Sequence, residues 1–131
     1  MERYRKNAGS VYALKYHLVW CPKYRRPVLT GEVAVTLHAI LAAKASDLDV
    51  TLHAVEVLPD HVHLLVESDP TVAVQFLVNQ FKGSSARILR DTFPSLRTRL
   101  PNMWSRSYYA GTVGVVSEAT IRRYIELQKG R

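Results

Sequence analysis

The stretch "LPDHVHLLVE", residues 58 to 67, sets two imidazoles, His61 and His63, one residue apart in an apolar run. Imidazole nitrogens ligate metals and move protons near neutral pH. On a β-strand, side chains alternate faces, so the two rings share one face, about 7 Å apart along the strand. Two ligands can hold one ion without completing its site. Alone, the pair more often marks a strand with one wet face than a metal site. His17 and His53 lie in other strand-like runs and fit local packing or hydrogen bonding, while His38, beside Leu37 in a helical run, fits a position facing water. The single cysteine, Cys21, has no cysteine partner, which suits a reducing, cytoplasmic setting.

The C-terminal run "ATIRRYIELQ" carries a second set of reactive groups. With Ile121 at 0° and ~100° per residue, Ile125 falls near ~40°, Gln128 near ~340° and Tyr124 near ~300°. Arg122, Arg123 and Glu126 occupy the opposite arc. Tyr124 and Gln128 therefore lie one turn apart, within the apolar stripe that should face the protein. A phenol there packs by its ring and finds a partner for its hydroxyl. An inward amide without partners would cost about 1–3 kcal/mol. A metal ion would take its oxygen.

The elements that position these residues follow from the pattern. "SVYALKYHLVW" (10–20) reads as a strand and "CPKYRRPVLTG" as a loop. Val33, Leu37, Ile40, Leu41 and Leu48 recur at helical spacing from Glu32 to about Leu48. Residues 50–58 and 61–68 are two strands joined by Pro59 and Asp60, hence an antiparallel hairpin. Asp69 and Pro70 offer an N-cap and a first helical position for a helix towards Asp91, with Gly83 as a weak point. "FPSLRTRLPNMW" reads as irregular and "SRSYYAGTVG" as holding a short strand. The final helix has Ser117 as its N-cap. The order β-α-β-β-α-β-α predicts an α+β fold in one domain spanning 1–131. It is a ferredoxin-like (RRM-like) antiparallel sheet with helices on one face.

Charge speaks to partners. Eighteen Lys and Arg against eleven Asp and Glu give +7 over 131 residues, and the excess sits at both ends of the chain. Residues 1–30 and 82–131 are cationic and 31–81 is acidic. Arginines beside aromatics, as in "KYRR" and "WSRSYY", suit a polyanion whose phosphates meet cations and whose bases stack on rings. A merely soluble basic surface is the alternative. The apolar runs are short, so no membrane span is expected, and no apolar segment follows the basic N-terminus as a signal peptide requires.

The whole set resembles a known family. His61-Val62-His63 with Tyr124 and Gln128 in "YIELQ" is similar to the single-tyrosine HUH transposases of the IS200/IS605 insertion sequences. So are "YHLVWCPKYRRPVL", "LPDHVHLLV", "QFLVNQFKGSSARIL" and "MWSRSYYAGTVG", in this order, over nearly the whole chain. The resemblance implies that His61, His63 and Gln128 hold a divalent ion, Mg²⁺ or Mn²⁺. It implies that Tyr124 is the nucleophile that cuts single-stranded DNA, leaving a 5′-phosphotyrosine and a 3′-hydroxyl. It also implies DNA hairpins as substrate and a homodimer whose mobile C-terminal helix can serve its own or its partner's histidines, with Gly111 and Gly114 as candidate hinges. Lys23, Tyr24, Arg25, Arg26, Lys82, Arg87 and Arg90 become the candidate DNA surface. The rival readings are a non-catalytic nucleic-acid-binding module of the same fold class and a domesticated, non-mobile HUH nuclease. A small metallohydrolase would need a further acidic ligand at motif spacing.

Overall fold

Alternation builds the main sheet. Leu18 and Trp20 of β3 (Lys15–Trp20) are buried in one cluster with Val62, Leu64 and Val66 of β5 (His61–Glu67). Leu52, Val55 and Val57 of β4 (Thr51–Leu58) pack against it. Burial of each such side chain contributes about 1.5–3 kcal/mol. A one-residue slip of β5 would drive His61 and His63 into this core and turn its valines out, so hydrophobicity fixes the face on which the histidines stand.

The computed structural model describes residues 5–7, 10–12, 14–112 and 118–131. The antiparallel sheet runs β4-β5-β3-β6, with β6 at Tyr109–Thr112, and the short strands β1 (Arg5–Asn7) and β2 (Ser10–Tyr12) form a separate ribbon. This is the expected ferredoxin-like order. The strand expected over 10–20 is thus divided between two sheets. β4 and β5 pair Leu58 with His61, leaving Pro59 and Asp60 as the turn, whose Pro59 carbonyl accepts from Leu29 N–H at 3.0 Å. A bulge between Leu52 and Ala54 sets off His53, whose Nε2 lies 2.7 Å from Glu67 Oε1.

Helices α1 (Gly31–Asp47) and α2 (Val74–Thr92) cover the core face, through Leu37, Ile40 and Leu41 and through Leu77, Val78, Phe81 and Leu89. Gly31 opens α1 at φ +56°, a left-handed conformation that side chains disfavour. Gly83 does not interrupt α2. Asp69 does not cap α2: its carboxylate accepts from the Thr71 N–H and hydroxyl, at 2.8 and 2.7 Å, closing a local turn before the helix begins. Within the run read as irregular, Ser95–Arg99 form a short helix, α3. The last helix, α4, spans Glu118–Glu126; Ser117 and Gly114 fall outside the described residues, whereas Gly111 lies in β6, opposite His17. Among the described residues no helix is long and apolar enough to cross a membrane.

Candidate active site

The face of the sheet away from α1 and α2 carries the histidines. His61 and His63 from β5, His17 from β3 and Glu56 from β4 line one side of a pocket of about 610 Å³, and Ile121, Arg122 and Ile125 of α4 line the other. The Asp60 carboxylate lies 2.9 Å from His61 Nδ1. A carboxylate accepts, so this contact places the ring proton on Nδ1 and leaves the Nε2 lone pair for a ligand. His63 Nε2 lies 2.9 Å from His17 Nδ1, so one proton serves both nitrogens. Burial first, then the neighbouring His17, lowers the His63 pKa below its ordinary value, with Glu56 opposing. A neutral imidazole, the form that ligates metal, is thereby favoured.

α4 divides its side chains between two surroundings. The arc holding Ile121, Arg122 and Ile125 faces the histidine pocket, while Tyr124 and Gln128 face Ser105 and Ser107. Tyr124 Oη lies 3.0 Å from Ser107 Oγ. The Gln128 amide, 2% exposed, accepts from the hydroxyls of Ser105 and Ser107 at 3.1 and 3.0 Å and donates to the Tyr124 carbonyl at 3.3 Å. Burial pushes the Tyr124 phenol up to about 12, against the lowering effect of Ser107. Tyr124 points inward, as its helical position requires, and so does Gln128 in the turn just past α4, but both face the serines rather than the histidine pair.

The serine segment is itself firmly held. Ser105 N–H donates to the Cys21 carbonyl at 2.9 Å, and Trp104 Nε1 donates to the Lys82 carbonyl and Ser85 Oγ, each at 3.1 Å. Trp104 meets Trp20 edge to face, with ring centroids 5.9 Å apart. The Lys82 ammonium donates to the carbonyls of Ser105 and Ser107 at 2.7 and 3.2 Å. Burial lowers its pKa to about 8. Burial likewise pushes the Cys21 thiol up to about 12, which keeps it protonated.

The basic residues separate on folding. Lys23, Lys82 and Arg90 line one groove of about 880 Å³, joined by Arg106, the arginine of "WSRSYY", and by Asn102, which the sequence pattern had not singled out. Tyr24 is exposed beside it, with Lys23 Nζ 5.2 Å from its ring centroid. Arg87 lies instead in a groove with Thr36 and Lys44 of α1, and Arg26 lies beside Arg99. Arg25 turns to the carboxylates of Asp60 and Glu126. His17, expected to pack or hydrogen-bond, pairs with His63 and joins its pocket. Its signal was the period-two alternation of β3, which puts it opposite Leu18 and Trp20, on the histidine face.

Two imidazoles, one with its second nitrogen fixed by a carboxylate, fit a divalent ion in kind. Among the described residues no three His, Cys, Asp or Glu side chains converge as a metal cluster. A third protein donor would have to be another type, such as the Gln128 amide oxygen, once it leaves the two serines.

Comparison with known proteins agrees with this fold. Residues 10–128 match the family described as "Transposase IS200 like". The chain is 44% identical over 126 residues to the ISDra2 transposase TnpA of Deinococcus radiodurans, covering 95% of this chain and 90% of that one. It is 35% identical over 123 residues to the transposase for insertion sequence element IS200 of Salmonella typhimurium, covering 92% and 80%. A crystal structure of a Deinococcus radiodurans R1 chain assigned as a transposase superposes with TM-score 0.91 at 41% identity, covering 97% of this chain and 99% of that one. A REP-associated tyrosine transposase bound to a REP hairpin shares the fold, with TM-score 0.58 at 15% identity over 96% of this chain and 69% of that one. With a family model matching residues 10–128 and 44% identity over 95% of its length to one member, this chain belongs to the IS200-like family of transposases.

Proposed function

We propose that the protein cuts and rejoins single-stranded DNA, with Tyr124 as nucleophile and His61, His63 and Gln128 as ligands of Mg²⁺ or Mn²⁺. The observation that carries this reading is that α4, the helix bearing Tyr124, lies across the sheet face bearing His61 and His63. In the reaction Tyr124 Oη bonds to phosphorus and the bond from phosphorus to the 3′-oxygen breaks. The products are a 5′-phosphotyrosine and a 3′-hydroxyl, and the proton lost by the phenol balances the one gained by the 3′-oxygen. A 3′-hydroxyl attacking a phosphotyrosine reverses the step. One phosphodiester is exchanged for another, so no nucleotide hydrolysis is required.

A divalent ion at the histidines would polarise the phosphate oxygens and offset the charge that builds up on them. The mixed nitrogen and oxygen donors suit Mn²⁺, while Mg²⁺ prefers all-oxygen sites. Tyr124 must leave Ser107 to attack. Neighbouring helical positions differ by about 100°, so a rotation of that order brings the phenol to the arc where Ile125 faces the histidines. Alternatively, in a homodimer, α4 swings over to serve the partner's histidines. The groove lined by Lys23, Lys82, Arg90 and Arg106 supplies phosphate contacts for DNA, and Tyr24 a stacking surface. The hairpin bound by the REP-associated relative supports a folded-strand substrate here too.

The test is incubation with a labelled single-stranded DNA hairpin and Mg²⁺ or Mn²⁺. An adduct that survives denaturation and is lost in Tyr124→Phe is expected. His61→Ala should lose the adduct while keeping most DNA binding, which rests on phosphate contacts. DNA binding without any adduct, across a library of insertion-sequence ends, would make the protein a binding module instead.

A further inference from the structure

We propose that Arg25 is a positioning residue that ties the docking of the tyrosine helix to the orientation of His61. Its Nε lies 3.2 Å from Asp60 Oδ2, and the other oxygen of the same carboxylate holds His61 Nδ1 at 2.9 Å. Its Nη1 lies 3.1 Å from Glu126 Oε2 and donates to the Ile125 carbonyl at 3.3 Å, both in the last turn of α4. One planar guanidinium thus spans two separate parts of the site, the histidine turn and the end of α4. Its fork geometry lets it do both at once, which a lysine ammonium on its flexible stem does not reproduce.

Two features set this arrangement apart from an ordinary surface ion pair. The Arg25 side chain is only 18% exposed, so its charge is partly withdrawn from water and both carboxylates compensate it. The backbone is also bent to deliver it: Tyr24 and Arg25 both have left-handed conformations, at φ +59° and +53°. Neither is glycine, and such consecutive strained residues persist only where surrounding contacts impose them. The guanidinium contacts at Asp60, Glu126 and Ile125 are contacts of that kind. When α4 is seated, Arg25 is anchored from both sides and Asp60 is held against His61. When α4 leaves, Arg25 keeps only its Asp60 partner and the carboxylate that orients His61 is less restrained.

This inference rests on His61 being a site residue, so its test uses the metal-free full chain and readouts other than activity. Hydrogen exchange of residues 121–126 reports docking of α4, and ¹⁵N spectra of the His61 ring report its tautomer. Glu126→Gln, which removes exposed pairs with both Arg25 and Lys129, should speed α4 exchange about threefold, with His61 still protonated at Nδ1. Arg25→Ala should speed it by more and also give His61 a mixed tautomer. Arg25→Lys should keep the melting temperature of the natural protein but restore at most one of the two readouts. If Arg25→Ala changes neither readout more than the remote Arg87→Ala does, and only weakens DNA binding, Arg25 is a phosphate contact and the proposal fails. Mn²⁺ titration separates the two ideas. Loss of about tenfold in affinity on Arg25→Ala extends the link to the ion. Absence of Mn²⁺ binding even in the natural protein sinks the metal reading, while the exchange and tautomer results still decide the role of Arg25.

Discussion

Tyr124 Oη lies 3.0 Å from Ser107 Oγ, so the phenol that would attack DNA is bound to a serine rather than to the histidine wall. The same serine hydroxyl donates to Gln128 Oε1. One side chain therefore binds both Tyr124 and Gln128, and the proposed attack by Tyr124 has to break that bond. Ser107→Ala should raise the initial rate of adduct formation about fivefold, the equivalent of one hydrogen bond of about 1 kcal/mol. A fall in rate would show that Ser107 assists the attack.

Chelation should stop adduct formation without unfolding the chain. The core lies on the other face of the sheet, among Leu18, Trp20, Leu64 and Phe81, and needs no ion to pack. Excess EDTA is expected to leave the melting temperature within about 2 °C, a shift worth less than about 1 kcal/mol, and added Mn²⁺ to restore the adduct. A large drop in melting temperature on chelation would make the ion structural.

Lys82 makes stability depend on pH in a defined window. Burial lowers its folded pKa from 10.5 to about 8. Between these values the unfolded chain binds more protons than the folded one, so this contribution to stability rises with pH from about 8 to 10.5 and is flat below. Urea midpoints of the natural protein and Lys82→Met, compared at pH 7.5 and 9.5, should show the natural protein gaining relative to the variant at the higher pH. An unchanged difference would mean that the amine stays charged when folded.

The two groups of cations should separate by salt dependence. Removing one cation that neutralises a phosphate of single-stranded DNA makes the slope of log affinity against log salt shallower by about 0.7. Lys23→Ala, Arg90→Ala and Arg106→Ala, all in one groove, should each do so. Arg87→Ala, in the groove beside α1, should leave the slope unchanged. Equal effects from Arg87 and Arg90 would move the DNA path off the groove.

Much of the site was legible in the chain because its rules are local. Period two in β5 put His61 and His63 together on the face opposite Val62 and Leu64, and the helical repeat put Tyr124 and Gln128 on the inward side of α4. The antiparallel hairpin and the order of elements followed from the same periodicities. The start of α2 did not, because Asp69 can cap a helix or close a turn with Thr71 and both are short-range uses of one carboxylate. Rings and cations were read as types, without their partners.

What the sequence by itself determined was which residues share a face. What only the tertiary structure decided was which face meets which. The rotation of α4 over the sheet is set by packing between elements, and it sends Tyr124 to Ser107 and Ile125 to the histidines. The same packing brings His17 to His63, 46 positions away, and Arg25 to Glu126, 101 positions away. No local period encodes such pairs, because they depend on how separate strands, turns and helices are stacked in three dimensions.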